Sequence, residues 1–170
     1  MKYSYLIVAL FFFQIGFAQQ DIFDIARKGT VEEVKTIMKQ NPGAIDSISR
    51  EGFSPLILAC YRGNIDVAKF LIKEVKDING NSSMGTPLMA AVVKGNKEIV
   101  EVLLDNKANP NLTDANGTTA LIYAVQFNYI SIVKLLLDYK ADKSKIDDKG
   151  KTAFEYAAFS NNEEIINLLK

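Results

Sequence analysis

Hydrophobic positions in this 170-residue chain come in short bursts with helical spacing, separated by polar turns. Val67, Phe70 and Leu71 stand at i, i+3 and i+4, and the spacing recurs in Ile99, Val102, Leu103, in Ile132, Leu135, Leu136, and in Ile165, Leu168, Leu169. Such spacing gives a helix one apolar stripe. The other side is charged, as at Lys97, Glu98, Glu101 and Asp105. Each burst is preceded by a version of one phrase: Gly52-Phe53-Ser54-Pro55-Leu56, Gly85-Thr86-Pro87-Leu88, Gly117-Thr118-Thr119-Ala120-Leu121 and Gly150-Lys151-Thr152-Ala153-Phe154. Ser and Thr are good helix N-caps, and Pro55 and Pro87 fall at the first helical position, where a missing N–H costs nothing. Ala59, Ala91, Ala124 and Ala157 are small enough for close helix approach, while Gly63, Gly95, Asn128 and Asn161 supply the left-handed residue that ends the helix. A helix, a turn and a second helix are predicted in every unit.

The capping residues Ser54, Thr86, Thr119 and Thr152 lie 32, 33 and 33 apart. A period this long and regular means a solenoid. Gly85-Thr86-Pro87-Leu88 with Ala91, Gly95-Asn96, Ile99-Val100, Leu103-Leu104 and Ala108-Asn109 resembles the ankyrin repeat, and the resemblance covers residues 50 to 170. It implies an all-α ankyrin-repeat solenoid of about five helix-turn-helix repeats with short β-hairpin connections, at approximately 20-48, 49-81, 82-114, 115-147 and 148-170. Two features depart from the family pattern. The histidine that ties hairpin to helix is replaced by Ile57, Met89, Ile122 and Glu155, and the segment from Asp77 to Met84 is one residue short. Asp21 to Met38, with Ile22, Ile25, Ala26, Gly29, Val34 and Ile37, reads as an N-terminal cap; Glu155, Asn161, Asn162, Glu163, Glu164 and Lys170 make the last repeat a polar cap. The array is therefore expected to be complete, one domain over residues 19-170.

Residues 1-18 break the pattern. Lys2, an apolar run from Leu6 to Phe13, and Gly16, Phe17 and Ala18 before Gln19-Gln20 read as a signal peptide, because the run is shorter than the roughly 20 apolar residues of a membrane span. Cleavage is expected after Ala18, and no cysteine nearby could carry a lipid. Phe17-Ala18-Gln19-Gln20 resembles exported proteins of the Bacteroidetes group of bacteria, which implies a periplasmic or secreted chain; an uncleaved anchor is the alternative. Cys60 is the single cysteine, so no internal disulfide can form. Twenty basic residues balance twenty acidic ones, a composition with no net field for nucleic acid or an anionic membrane. The chain is expected to be a monomer with a protein partner.

In ankyrin stacks the hairpin tips and the last turn of each first helix line a concave face. That resemblance places the partner-binding positions at Tyr61 and Arg62, Val93 and Lys94, Gln126 and Phe127, and Phe159 and Ser160 on the helices. At the tips it places them at Arg50, Glu51 and Phe53, at Met84, at Asn116 and Thr118, and at Lys149 and Lys151. Phe53, Tyr61, Phe127 and Phe159 stand out, since aromatic residues and arginine dominate binding hot spots and an exposed apolar row marks an interface. Against this, some rings can turn inward to fill gaps between repeats, and Tyr123 and Tyr156, one turn earlier, are expected to be half-buried packers.

Catalytic chemistry finds little support. With no histidine, neither Ser-His nor Cys-His pairs nor histidine zinc sites can be built, and Cys60 falls at a small core position where thiols are inert. Glu32-Glu33 and Glu163-Glu164 sit at helix starts, where they suit the dipole. Asp114, Asn116 and Gly117 resemble part of a calcium loop, but Leu112 and Tyr123 occupy its first and closing positions, so a plain hairpin tip is expected. Asn81, Asn111 and Asn116 begin chance glycosylation patterns. No cofactor and no metal is expected. The expected role is an exported interaction module acting as scaffold, inhibitor or immunity-type neutraliser. An effector delivered into host cells, and an enzyme or metal protein built on exposed carboxylates, are the alternatives.

Overall fold

The computed structural model describes residues 21–170, and the expected signal peptide at residues 1–18 lies outside them. Among the described residues ten α-helices follow one another in pairs: α1 (Ile22–Lys28) with α2 (Val31–Gln40), α3 (Pro55–Arg62) with α4 (Ile65–Glu74), α5 (Pro87–Val93) with α6 (Lys97–Asp105), α7 (Ala120–Gln126) with α8 (Ile130–Asp138), and α9 (Ala153–Ser160) with α10 (Glu163–Leu169). A 3-10 turn, Pro42–Asp46, follows α2. None of these helices is long and apolar enough to cross a membrane.

Each inner helix starts where its cap dictates. The hydroxyls of Ser54, Thr86, Thr119 and Thr152 accept from the backbone N–H groups of Ile57, Met89, Ile122 and Glu155 at 3.2 to 3.3 Å, satisfying donors the helix cannot use itself. The odd-numbered helices contact one another in sequence, and so do the even-numbered ones, which gives a two-layer stack. Ala26, Ala59, Ala91, Ala124 and Ala157 are fully buried along the inner layer; a larger side chain there would push adjacent repeats apart. The second layer seals the core with Val67, Leu71, Ile99, Leu103, Ile132, Leu136 and Ile165, all essentially buried. Burying each such side chain contributes about 1.5–3 kcal/mol before entropy is counted. Cys60 lies in the same core, and burial pushes its thiol pKa far above the usual range.

Register along the stack is held by a ladder of side-chain acceptors. Asp46 accepts from the N–H of Lys76, Asn79 from that of Asn109, and Asn111 from that of Asp142, at 3.0, 2.8 and 2.7 Å. Each rung joins one inter-repeat segment to the next. The expected β-hairpins contract to single bridging pairs among the described residues, Thr113 with Thr119 and Ser82 with Gly85. The missing residue before Thr86 shows in the second of these. At the other tips Ser49, Asp114 and Asp147 donate their N–H to the carbonyls of Phe53, Thr118 and Lys151, whereas Ser82 reaches only to Gly85. Gly85 then takes φ +96°, and a Cβ there would lie 2.4 Å from the Met89 sulfur. A shorter turn is possible because this position is glycine.

Candidate functional site

The tips and inner helices of the second, third and fourth repeats enclose a groove of about 560 Å³. Its lining includes Glu51, Phe53, Tyr61, Arg62, Met84, Val93, Asn116 and Phe127, so half of the positions expected to meet a partner come together in one concavity. Met84 and Phe127 are exposed at 59% and 44%, large values for apolar side chains, while Phe53, Tyr61 and Val93 are half-buried. Phe127 belongs to a ring stack, 6.4 Å from Tyr123 and 5.8 Å from Tyr129 between centroids.

One register position decides where the groove opens. Four residues after each capping Ser or Thr come Leu58, Ala90, Tyr123 and Tyr156. Both tyrosines are half-buried and donate their hydroxyls to aspartates at their own hairpin tips, Tyr123 to Asp114 at 2.6 Å and Tyr156 to Asp147 at 2.5 Å. Leu58 and Ala90 carry no such arm, and the space it would fill is the groove, with these two residues and Ile57 in its lining and Tyr123 among its walls.

Asp114 also accepts from the N–H groups of Asn116 and Thr118, both at 2.9 Å. Burial would raise its pKa, but these donors together with the Tyr123 hydroxyl outweigh it and hold the carboxyl below the usual range. The same desolvation and the carboxylate beside it push Tyr123 up to about 12. Asp147 is likewise held low, its burial offset by Tyr156 and by the N–H groups of Lys151 and Lys149. These tyrosine–aspartate ties join hairpin to helix in the fourth and fifth repeats, where the family's histidine is missing. Ile57, Met89 and Ile122, at the histidine position, are buried in the core. Glu155, the fourth, accepts from the N–H and hydroxyl of Thr152 at 2.6 and 2.8 Å. With its acceptors engaged inside a turn, Asp114 belongs to a hairpin tip.

The other expected contact positions are dispersed. Thr118 is 6% exposed and packed under its own turn, so its side chain does not face solvent as a tip residue should. That placement is corrected, because the N–H bond from Thr118 to Asp114 draws the residue inward. Lys94 stands outside the groove lining, with its ammonium 4.3 Å from the Tyr61 ring centroid. Lys151 and Phe159 form a separate exposed patch on the last repeat, the Lys151 ammonium lying 5.5 Å from the Tyr156 centroid and 5.8 Å from that of Phe159. Phe159 is 87% exposed. Arg50, Gln126, Lys149 and Ser160 are exposed away from the groove, and the Ser160 hydroxyl donates to the Ala157 carbonyl. Sequence reasoning missed Arg27, Leu58, Ser83 and Ala90 as lining residues. For Leu58 and Ala90 the signal was present as the break in the Tyr123–Tyr156 register; for Arg27, on α1, only the stacking of repeats reveals it. Among the described residues no group of three or more histidines, cysteines, aspartates or glutamates could hold a metal ion.

This two-layer stack, with its hairpin tips and concave groove, defines a class of repeat proteins, and comparison with known families agrees. A family model described as ankyrin repeats, in three copies, matches residues 22–114 and again 95–170. The chain belongs to the ankyrin-repeat family. It is 34% identical over 110 residues to the ankyrin repeat and SAM domain-containing protein 6 of Rattus norvegicus, covering 64% of this chain and 12% of that protein. It is 33% identical over 112 residues to the putative E3 ubiquitin-protein ligase XBAT34 of Arabidopsis thaliana, covering 64% of the chain and 30% of the relative. Over 68 residues it is 48% identical to the human ankyrin repeat and KH domain-containing protein 1, covering 40% and 3%. The chain thus corresponds to under a third of each of these relatives.

Proposed function

We propose that the groove across the second to fourth repeats binds a protein partner, and that the chain acts as an interaction module and not as a catalyst. The observation that carries this is the placement of Phe53, Tyr61, Met84 and Phe127 around one concavity floored by Leu58 and Ala90. Apolar groups held open to water are costly for a monomer, and covering them with a partner recovers that free energy. Two of the three relatives above are named for ankyrin repeats together with a different second domain, SAM or KH, in keeping with a repeat unit that serves as a portable binding element. The signal-like pattern of residues 1–18 supports the rest of the proposal, in which the partner is met in the periplasm or outside the cell and the chain serves as scaffold, inhibitor or immunity-type neutraliser.

The test is a paired pull-down from the native host with the wild-type chain and a Tyr61→Ala/Phe127→Ala variant, with circular dichroism to check that both fold alike. A partner retained by the wild type and lost by the variant is the expected result. Equal capture by two equally folded chains would overturn the assignment of the groove. Fractionation of the same cells tests the location, and finding the mature chain in the cytoplasm would overturn export.

A further inference from the structure

Charge around the groove is divided by position: Arg62 and Lys94 stand at the ends of α3 and α5, while the carboxylates Glu51 and Asp114 stand at the hairpin tips. Arg62 and Lys94 occupy the same register position in successive repeats, eight residues after Ser54 and Thr86, and the next residue in that row is Phe127. The row therefore reads cation, cation, aromatic ring. Both cations are exposed, and, like most cations among the described residues, neither forms an ion pair. Lys94 leans over the Tyr61 ring, which holds its ammonium beside the groove mouth. The two carboxylates in the lining keep their charge but are held at the tips, Asp114 by the N–H groups of Asn116 and Thr118 and the Tyr123 hydroxyl, Glu51 by Ser49 with Arg27 and Arg50 beside it.

Resting on the groove as the partner site, we propose that its occupant is a segment of another protein that sets acidic side chains against Arg62 and Lys94 and a bulky apolar side chain between Met84 and Phe127. Helices in adjacent repeats pack about 8–10 Å apart, so the two cations define a pair of carboxylate positions at that spacing, and the ring position follows one repeat further on. The apolar contact supplies most of the affinity, while the carboxylates fix direction along the stack and reject basic segments.

The test is a selection of random dodecapeptides displayed on phage against the full chain. The winning peptides are then synthesised and their Kd measured by fluorescence anisotropy. Peptides with at least two acidic residues beside an aromatic or large aliphatic residue are expected. An Arg62→Glu/Lys94→Glu variant should weaken them about tenfold or more at low salt, a difference that shrinks near 0.5 M salt as the charges are screened. The single variant Arg62→Gln, which changes one exposed side chain, should weaken them less and guards against misfolding of the double variant. Binders that lose affinity in the Tyr61→Ala/Phe127→Ala variant but are neutral or basic, or that ignore the charge reversal, would overturn the acidic partner while leaving the groove as the site. Binders indifferent to all of these substitutions would overturn both.

Discussion

The second and third repeats differ from the fourth and fifth four residues after the helix cap, and that difference separates binding from rigidity. In the later pair, Tyr123 and Tyr156 reach back to Asp114 and Asp147 and close the space between inner helix and hairpin. In the earlier pair, Leu58 and Ala90 leave it open, and the equivalent tip residues are Ser49, whose hydroxyl accepts one N–H from Phe53 at 3.2 Å, and Ser82, whose hydroxyl donates to the Gly85 carbonyl at 3.0 Å. The same scaffold is thus tied shut at one end and left as a groove in the middle. A residue too short to reach the hairpin is what makes the site.

Removing the tie should give the largest effect. Asp114→Ala strips the acceptor from the Tyr123 hydroxyl and two N–H groups in a buried turn, and is expected to cost about 3 kcal/mol in urea unfolding. Ser49→Ala, at the same place in the second repeat, should cost about 1 kcal/mol, since the bond from the Phe53 N–H and an exposed bond to Glu51 are lost. Equal costs would mean that the two regions are held alike. The tie also predicts a pH signature. Asp114 and Asp147 have depressed folded pKa values, so their contribution is fully present above the unfolded carboxylate value of about 4 and is lost as pH falls through the folded values. Thermal melts from about pH 5 down to about pH 2 should show a shallower acid decline in Asp114→Ala than in the wild type.

Filling the groove comes next. Ala90→Tyr would place a ring between Leu58 and Tyr123, and affinity for a groove-binding peptide is expected to fall about 30-fold, the size of one interface hot spot, with the melting temperature little changed. Undiminished binding would show that openness at this position is irrelevant.

The smallest predicted effect concerns the left-handed residues that end the inner helices, glycine in the earlier pair and asparagine in the later one. Gly63 and Gly95 have φ of +70° and +66°, and Asn128 and Asn161 of +60° and +53°, angles that asparagine tolerates better than most residues. Gly63→Asn has room, its nearest neighbour for a Cβ being the Asn96 side chain at 3.7 Å, whereas a Cβ at Gly95 would stand 2.9 Å from the Tyr129 ring. Gly63→Asn is therefore expected to cost less than about 0.5 kcal/mol and Gly95→Asn about 1 kcal/mol more. A reversed order in the melts would mean that Tyr129 moves aside freely.

Much of the architecture was legible because each piece has a local cause. Ser54, Thr86, Thr119 and Thr152 cap helices wherever they occur, the alanine row can pack only closely, and the i, i+3, i+4 stripes must turn inward. The site was legible in half. Phe53, Tyr61 and Phe127 stood out as apolar residues at positions expected to face solvent, but Phe159, chosen by the same logic, sits in a different patch beside Lys151. Thr118 read as a tip residue and is held inside its turn.

By itself the sequence determined the repeat: its length, its helix boundaries, its apolar stripes and the absence of histidine, all of which follow from backbone propensity and from the periodicity of side chains within some thirty residues. Tertiary structure alone decided which exposed rings share one groove, that Arg27 from the first repeat joins it, and that Tyr123 and Tyr156 take over the missing histidine's task. The physical reason is that a groove is a relation between side chains of different repeats. Its shape depends on how far each reaches across the stack, and that length is measured only when the repeats are packed together.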